Sequence, residues 1–488
     1  MTAKSAVVVA GVGTLLILSA PLPAPGAGDA PARGAVFAWD RDTYWQSLEA
    51  AYARLRSADC SATARTTAER LSALGALTDD LRGRTALPDD PALDEMEAGF
   101  FEAGPAVAAC PAQLAAYVAL YGHMRESIKD QSRGWDMEAV ATRDRLYRSL
   151  YGGRAAVEEA MLQHPDRMAA LRRGVDEPSR TPSTEIQGVR VHSGDVVVSR
   201  GGYPTSALIA RGNDYPGNFS HVALVHVDAE SGDVSMIEAH IERGVAVSTG
   251  DQYLRDKKLR LMLLRLRADL PQLAADPMLP HRAASSMLAR ARVGHIPYDF
   301  AMDYTDPARL FCSEVASAPY RELGVTLWTG ISTISAPGLR RWLASFGVRQ
   351  FATQEPSDLE YDPQLVVVAE WHDPATLAQD HIDNAVVDAM LEGAERGDAL
   401  TFPWYRLPVA RALKAYSWVR TRFGGIGPIP EGMAPAAALR NASFSTRQRR
   451  LAERVRREAE ALAATRGYQA PYWVLLELAR DAASDGRW

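Results

Sequence analysis

Residues 219–227 read Phe-Ser-His-Val-Ala-Leu-Val-His-Val, and the interpretation of the whole chain starts from this stretch. Its aliphatic and β-branched residues predict a buried strand that opens at a histidine. On a strand, His221, Ala223 and Val225 share one face, whereas His226 lies on the opposite face. A metal site shared by His221 and His226 is therefore disfavoured. His221 is either a proton acceptor in a catalytic site or an ordinary core histidine.

Similar runs on both sides of this stretch predict a sheet that packs on helices. A helix is predicted at 282–292, and a second helix begins near Cys312. The mixture of short strands and separate helices indicates the α+β class. Period-two patterns predict strands at 195–199, 222–227, 234–241, 245–248, 259–266 and 365–369.

The flanks of this central part have a helical pattern. Before it, Tyr44, Leu48, Tyr52 and Leu55 recur at spacings of three and four residues. Turn-rich sequence separates the two parts, and the pattern is helical again after about Pro374. The predicted organisation has a signal peptide or N-terminal anchor at 1–32, a helical region at 36–175, a central domain at 184–372 and a helical region at 374–488.

The N-terminus has the organisation of a secretory signal. Lys4 precedes an apolar run at 5–20, and a stretch rich in proline, alanine and glycine follows at 21–33. Ala30-Pro31-Ala32 is a candidate cleavage site. The sequence therefore predicts export to the periplasm or the exterior. The alternative is an uncleaved segment that anchors the protein to a membrane.

Composition restricts the class of partner. The chain has 488 residues, of which 47% are hydrophobic and 23% charged, as is usual for globular proteins. The net charge of −6 disfavours non-specific binding to nucleic acid, which needs a basic surface.

The three cysteines fall into two groups. Cys60 and Cys110 both lie in the N-terminal third, where export would allow them to form a disulfide. The alternative for this pair is two buried thiols. Cys312 is the odd cysteine and lies in the central domain.

Cys312 stands where a loop meets a predicted helix. Residues 309–316 read Arg-Leu-Phe-Cys-Ser-Glu-Val-Ala. A helix N-terminus favours the thiolate, and the thiolate is the reactive form of cysteine. The alternative is a buried structural cysteine. Standard phosphate-binding and metal-binding motifs are missing from the chain.

Glu238 is the candidate third member of a catalytic site. Residues 236–240 read Met-Ile-Glu-Ala-His and lie on the next predicted strand. A hairpin turning near 230–233 brings this strand beside His221. A carboxylate there would orient the imidazole and stabilise its charged form. His240 shares the face of Glu238; it is the other candidate for the third member and also a candidate to contact the substrate or the oxyanion. The alternative for Glu238 is an ordinary surface carboxylate.

These segments resemble a known family, the circularly permuted papain-like (NlpC-type) cysteine amidases, and within it the YaeF/YiiX-like group. The resemblance spans about 184–369 and has the histidine before the cysteine, as His221 and Cys312 are here. It implies an antiparallel sheet packed on helices. It also implies that Tyr298, in the segment Gly-His-Ile-Pro-Tyr-Asp, helps to bind the oxyanion or the substrate carbonyl together with the backbone N–H of Cys312.

The sequence departs from the family pattern at two places. Phe300 and Ala301 stand where two glycines are usual, and Phe311 stands where an aspartate often precedes the cysteine. These changes bear on the shape of the cleft and on the choice of substrate.

The expected function is an exported cysteine hydrolase that cleaves amide bonds in peptides, including cell-wall peptides, without a metal or an organic cofactor. Cys312 is the expected nucleophile, His221 the base and Glu238 the residue that orients it. One alternative is a lipid acyltransferase or esterase that uses the same residues. The other is a catalytically inactive module that binds a partner in the envelope.

Overall fold

A seven-stranded antiparallel sheet forms the centre of the computed structural model, which describes residues 34–484. The signal segment predicted at 1–32 lies outside the described residues. The strands are β1 Leu171–Arg173, β4 Val196–Gly201, β5 His221–Val227, β6 Val234–His240, β7 Gly244–Thr249, β8 Lys258–Leu266 and β11 Leu365–Trp371. Their order across the sheet is β1-β11-β8-β4-β5-β6-β7, so the predicted α+β class is confirmed.

Four short strands form two separate ladders. β2 Ser183–Ile186 pairs with β3 Val189–His192, and β9 Ser332–Thr333 pairs with β10 Ala352–Thr353. The first ladder follows a loop and helps to cover one face of the large sheet. The second brings residues near 354 to the start of the helix that follows Cys312.

The two faces of the central sheet are both buried. On one face Val196, Val222 and Leu224 pack against the helices Leu279–Val293 and Glu314–Glu322. On the other face Ala223 and Val225 pack with β3 and with the short helix Gly250–Arg255. Burial on both faces explains why β4 and β5 are almost continuously apolar in sequence.

The N-terminal region is a helical layer with a core of its own. The prediction of a wholly helical region up to residue 175 is wrong at its end, because Leu171–Arg173 forms β1 and pairs with β11. Its three residues are too short for a periodic pattern, and pairing with β11 decides their conformation. The helices are Asp42–Leu55, Cys60–Arg82, Pro91–Ala109, Leu114–Gln131, Val140–Leu146 and Gly153–Leu162.

The C-terminal region is helical and shares a core with the helices Pro204–Arg211 and Pro337–Phe346 of the central part. Its helices are Pro374–Glu395, Leu407–Arg422, Pro435–Arg466 and Tyr472–Ser484. Two short helices, Pro271–Ala275 and Asp358–Tyr361, complete the central part.

Buried ion pairs join the flanking helices to the sheet. Arg125 of the N-terminal layer pairs with Glu370 of β11. Arg260 of β8 pairs with Glu158 of the N-terminal layer and with Asp380 of the C-terminal region. Removing one partner would leave a buried charge uncompensated, so these pairs fix the position of both flanks on the sheet.

Two neighbouring helices bear on the question of membrane crossing. Within residues 34–484, no single helix has both the length and the apolar composition needed to span a bilayer. The segments Pro91–Ala109 and Pro111–Gly134 meet these criteria only when taken together, and they are bent by 120°.

Candidate active site

Cys312 lies in a tight turn two residues before the helix Glu314–Glu322. The backbone N–H of Phe311 donates to Glu314 Oε2 at 3.0 Å, and the N–H of Glu314 donates to the Phe311 carbonyl at 3.1 Å. This turn holds the buried thiol against the start of β5, where Cys312 Sγ lies 4.0 Å from the carbonyl oxygen of Ser220.

The thiol lies beside the part of β5 that β6 does not cover. The β5–β6 ladder runs from Val227 and Val234 to Ala223 and Glu238, and it ends there. The Val222 backbone N–H, one pair beyond this point, lies close enough to Cys312 to lower the pKa of its thiol, although burial outweighs this effect. The structure therefore brings the sulfur next to the backbone on both sides of His221.

His221, Glu238 and His240 form a cluster on β5 and β6. His221 Nε2 lies 3.0 Å from Glu238 Oε2. Glu238 Oε1 accepts from the hydroxyl of Ser248 at 3.2 Å and lies 3.5 Å from His240 Nε2. Glu238 is buried and contacts both histidines. Glu238 and His240, the two candidates for the third catalytic residue, therefore lie in the same cluster.

The electrostatics of this cluster favour a neutral base beside a charged carboxylate. Burial would raise the pKa of Glu238, but hydrogen bonds from His221 and His240 outweigh it and hold that pKa well below its ordinary value. Burial lowers the pKa of His221, and Glu238 offsets only part of this effect. At neutral pH the His221 imidazole is therefore neutral and able to accept a proton.

Cys312 does not have the low thiol pKa that a helix N-terminus led us to expect. Burial raises the pKa of Cys312 to about 12, and the nearby Glu355 adds to this effect. Burial and the neighbouring carboxyl outweigh the end of a short helix. Within residues 34–484, no hydrogen bond joins Cys312 Sγ to the His221 ring, whose Nε2 contacts Glu238. The resting site therefore holds a neutral thiol.

Tyr298 lies beside the nucleophile turn. It forms an isolated β-bridge with Leu310, two residues before Cys312, and its ring packs edge-on against Phe300 at 5.1 Å. Burial and the neighbouring Cys312 raise the pKa of the Tyr298 hydroxyl well above its ordinary value. Tyr298 therefore remains a neutral hydrogen-bond donor over the physiological pH range.

Glu355 is a site residue that sequence reasoning missed. It is buried near Cys312, and burial, followed by the effect of Asp358, raises its pKa well above the ordinary value. The hydroxyl of Ser313 donates to the Gln354 carbonyl at 2.7 Å and ties this segment to the nucleophile turn. No local pattern marks Glu355, because only the tertiary fold brings it to Cys312.

Cys60 and Cys110 lie in the N-terminal helical region, away from the central sheet. The structure pairs them in a disulfide with an S–S distance of 2.11 Å. Cys312 is the free thiol of the described residues. The disulfide encloses a loop that contains the whole of the second and third N-terminal helices, Cys60–Arg82 and Pro91–Ala109.

The cluster also has the composition of a cation site. His221, Glu238 and His240 each offer one ligand atom, and these atoms lie within 4.8 Å of one another. Two imidazoles and a carboxylate are ligands that Zn²⁺ accepts.

A cavity of about 850 Å³ lies between the N-terminal and C-terminal helices. Aromatic side chains, among them Trp39, Tyr147 and Tyr472, form much of its wall. It reaches Asn218, three residues before His221, but neither His221 nor Cys312 lines it. It is thus a separate feature from the cysteine site.

The central region combines an antiparallel sheet, a histidine at the start of one of its strands, and a later cysteine just before a helix packed on that sheet. Residues 190–369 match the family described as permuted papain-like amidase enzyme, YaeF/YiiX, C92 family. The match confirms the resemblance read from the sequence for this part of the chain.

Two further comparisons complete this result. A crystal structure of the metalloprotein YiiX from Escherichia coli O157:H7 is 17% identical, with a TM-score of 0.30. The alignment covers 37% of this chain and 97% of that one. No curated protein matches the sequence significantly.

Proposed function

We propose that this protein is a cysteine hydrolase that cleaves amide bonds by acyl transfer to Cys312, with His221 as the base and Glu238 as the residue that orients it. The observation that carries the proposal is the position of Cys312 Sγ, 4.0 Å from the carbonyl of the residue before His221. The match of residues 190–369 to an amidase family supports the reaction class.

The pKa directions of His221 and Cys312 decide which group holds the proton before the proposed reaction begins. His221 is neutral and Cys312 is a thiol, so the proton moves from sulfur to imidazole as sulfur attacks the amide carbon. The imidazolium then donates this proton to the leaving amine, and a thioester to Cys312 forms. Water attacks the thioester with His221 as base, which releases the carboxylic acid and restores the thiol.

Two donors are candidates for binding the oxyanion. The backbone N–H of Cys312 donates to no other group within the described residues, so it is available to a substrate oxygen. Tyr298 carries a neutral hydroxyl near the same sulfur. Donors of this kind stabilise the charge that develops on the carbonyl oxygen in the transition state.

The substrate class that we propose is a peptide or peptidoglycan-like amide outside the cytoplasm. Two observations support export: the signal-like composition of residues 1–33 and the disulfide between Cys60 and Cys110. A lipid acyltransferase or esterase would use the same thiol and imidazole. The nature of the acyl donor therefore distinguishes the two activities.

Acylation by p-nitrophenyl acetate tests the proposal without knowledge of the natural substrate. We expect an acetyl group on Cys312, located by peptide mass spectrometry, and none on Cys312→Ala. His221→Ala should acylate at least about 100-fold more slowly, because it lacks the base. If His221→Ala acylates as fast as the wild type, the enzyme proposal fails, and a binding module built on this fold becomes the better account.

Turnover assays then separate the substrate classes. Purified peptidoglycan peptides and phospholipids are offered to the wild type and to Cys312→Ala. Release of a new amine from the peptides, with Cys312 required, supports the amidase. Acyl transfer from the phospholipid in place of amine release supports the acyltransferase.

A divalent cation site is the second candidate function, and the cluster of His221, Glu238 and His240 favours it. Equilibrium dialysis against Zn²⁺ tests it directly. One Zn²⁺ per chain, lost in His240→Gln, would support this function. Acylation of Cys312 that is unchanged by a chelator would assign the cluster to the cysteine mechanism.

A further inference from the structure

The helix Leu407–Arg422 presents apolar side chains on the side that faces away from the protein. Tyr405, Val409, Ala412, Tyr416, Val419 and Phe423 recur at spacings of three and four residues, and all six are exposed. We call these six residues the apolar stripe. Residues at this spacing line one face of a helix, so the stripe is continuous from the turn before the helix to its C-cap.

The exposure of the stripe is unusual for this protein. Nine of the sixteen exposed large hydrophobic side chains within the described residues lie between positions 404 and 426. Phe423 is 85% exposed and Val409 is 62% exposed. A concentration of this kind marks a surface that binds a partner or a membrane, whereas isolated exposed hydrophobic residues do not.

The opposite face of the same helix is already occupied. Leu407, Ala410 and Ser417 are buried. Lys414 Nζ turns inward and donates to the carbonyls of Pro430 and Glu431 in the following loop. The helix is thus fixed on the protein by one side, and the stripe is not a core face that lost its packing.

The charges around the stripe are all of one sign. Besides the inward-turned Lys414, the sequence from residue 399 to residue 430 has four arginines and no acidic residue, although the whole chain carries a net charge of −6. The Arg420 guanidinium lies over the ring of Tyr416, and the Arg422 guanidinium lies over Trp418. Aromatic rings with adjacent arginines suit the boundary between lipid headgroups and acyl chains.

From these observations we propose that the helix Leu407–Arg422 lies flat on an anionic lipid bilayer and docks the protein to it through the apolar stripe. The local positive charge complements anionic headgroups, and the aromatic and aliphatic side chains enter the apolar boundary. A second copy of this chain is a poorer occupant, because a symmetric contact would place the same arginines against one another.

The docked helix is connected to one wall of the candidate active site. Ile429 and Met433, in the loop that follows the helix, pack with Phe300 and Ile241. Phe300 is in contact with Tyr298, and Ile241 follows His240. Docking would therefore hold the cysteine site close to the lipid surface, where envelope substrates are exposed.

Vesicle flotation with the full chain tests the docking surface. Vesicles of equal parts phosphatidylcholine and phosphatidylglycerol are compared with pure phosphatidylcholine. We expect binding to the anionic vesicles that is several-fold weaker in about 0.5 M salt, because salt screens the charges. The double variant Val419→Glu/Phe423→Glu should bind at least about 10-fold more weakly. No binding by the wild type, or equal binding by this variant, overturns the proposal.

A matched control separates the stripe from general effects of added charge. Leu87→Glu/Val293→Glu makes the same chemical change at two exposed apolar positions elsewhere. This control should bind like the wild type. If it loses binding equally, the effect is general charge and the proposal is overturned.

A fluorescent probe on the helix distinguishes binding through the helix Leu407–Arg422 from binding through the apolar segment at 5–20. This test does not require the glutamate variants to fold. Ala412→Cys, made with Cys312→Ser, is labelled with an environment-sensitive fluorophore. A blue shift on adding anionic vesicles supports docking. An unchanged spectrum, under conditions in which the protein binds the vesicles, overturns the docking proposal. A dimer that buries the probe in the absence of lipid also overturns it. None of these assays uses Cys312 chemistry, so their failure leaves the proposed hydrolase untouched.

Discussion

Glu314 Oε2 accepts a hydrogen bond from the backbone N–H of Phe311 at 3.0 Å, and these two residues close the turn that carries Cys312. The acceptor is a carboxyl group whose pKa burial raises to about 8. At neutral pH it is mostly protonated, yet it retains an oxygen that can accept the bond. The position of the nucleophile thus depends on a group that ionises near physiological pH.

We expect Glu314 to make stability depend on pH. The folded state keeps a proton that the unfolded state releases above about pH 4.5, so the free energy of unfolding should fall as pH rises from there to about 8. Glu314→Gln keeps the acceptor oxygen but cannot ionise. Urea unfolding at pH 5, 6.5 and 8 should show the wild type losing stability relative to Glu314→Gln. Parallel curves would contradict the assignment.

The alkylation of Cys312 should remain slow at neutral pH. Because burial raises the thiol pKa to about 12, the rate with iodoacetamide should increase nearly tenfold for each pH unit between pH 7 and pH 10. The same protein unfolded in urea, with an ordinary thiol pKa of about 8.5, is the control. A rate that levels off below pH 8 in the folded protein would mean a thiolate at rest and would refute the neutral-thiol description.

Glu238→Gln should affect both the rate and its pH dependence. Loss of the carboxylate removes the charge that stabilises the imidazolium of His221, so we expect acylation of Cys312 to slow by about 10² to 10⁴. It also lowers the pKa of His221 further, which moves the acidic limb of the pH–rate profile to lower pH. Glu230→Gln, on an exposed turn, is the matched control and should leave the profile unchanged.

Reduction of the disulfide between Cys60 and Cys110 should destabilise the N-terminal layer. The two cysteines are 50 residues apart, and closing a loop of this length stabilises a fold by about 4 kcal/mol in the chain-entropy description. Thermal unfolding of Cys60→Ser/Cys110→Ser should show a lower Tm than the wild type. A Tm unchanged both in this variant and after dithiothreitol treatment would show that the bond contributes no stability.

Sequence patterns gave the central strands almost to the residue, because buried strands such as β5 have aliphatic runs that few other structures share. The hairpin of β5 and β6 could be inferred in the same way, and with it the proximity of His221 and Glu238. These contacts are local in sequence, and the period of a strand decides which side chains meet.

Contacts between segments far apart in the chain could not be predicted from sequence patterns. Glu355 reaches Cys312 through a loop whose position depends on the β9–β10 ladder, and nothing in its own sequence marks it. The thiol pKa was misjudged for the same reason, because burial depends on the whole fold whereas the end of a helix can be read locally. The strand Leu171–Arg173 was missed because its partner lies about 200 residues later.

This last pairing has a consequence for biosynthesis. β1 emerges from the ribosome long before β11, so its backbone groups have no partner in the sheet until the central part has been made. The N-terminal helices can form first, but the ion pairs of Arg125 and Arg172 with Glu370 can form only once β11 has been made. A chain shortened to the central part would lose β1 and leave β11 as an open sheet edge, which favours aggregation. The N-terminal region therefore covers a sheet edge that the central part, made alone, would leave open.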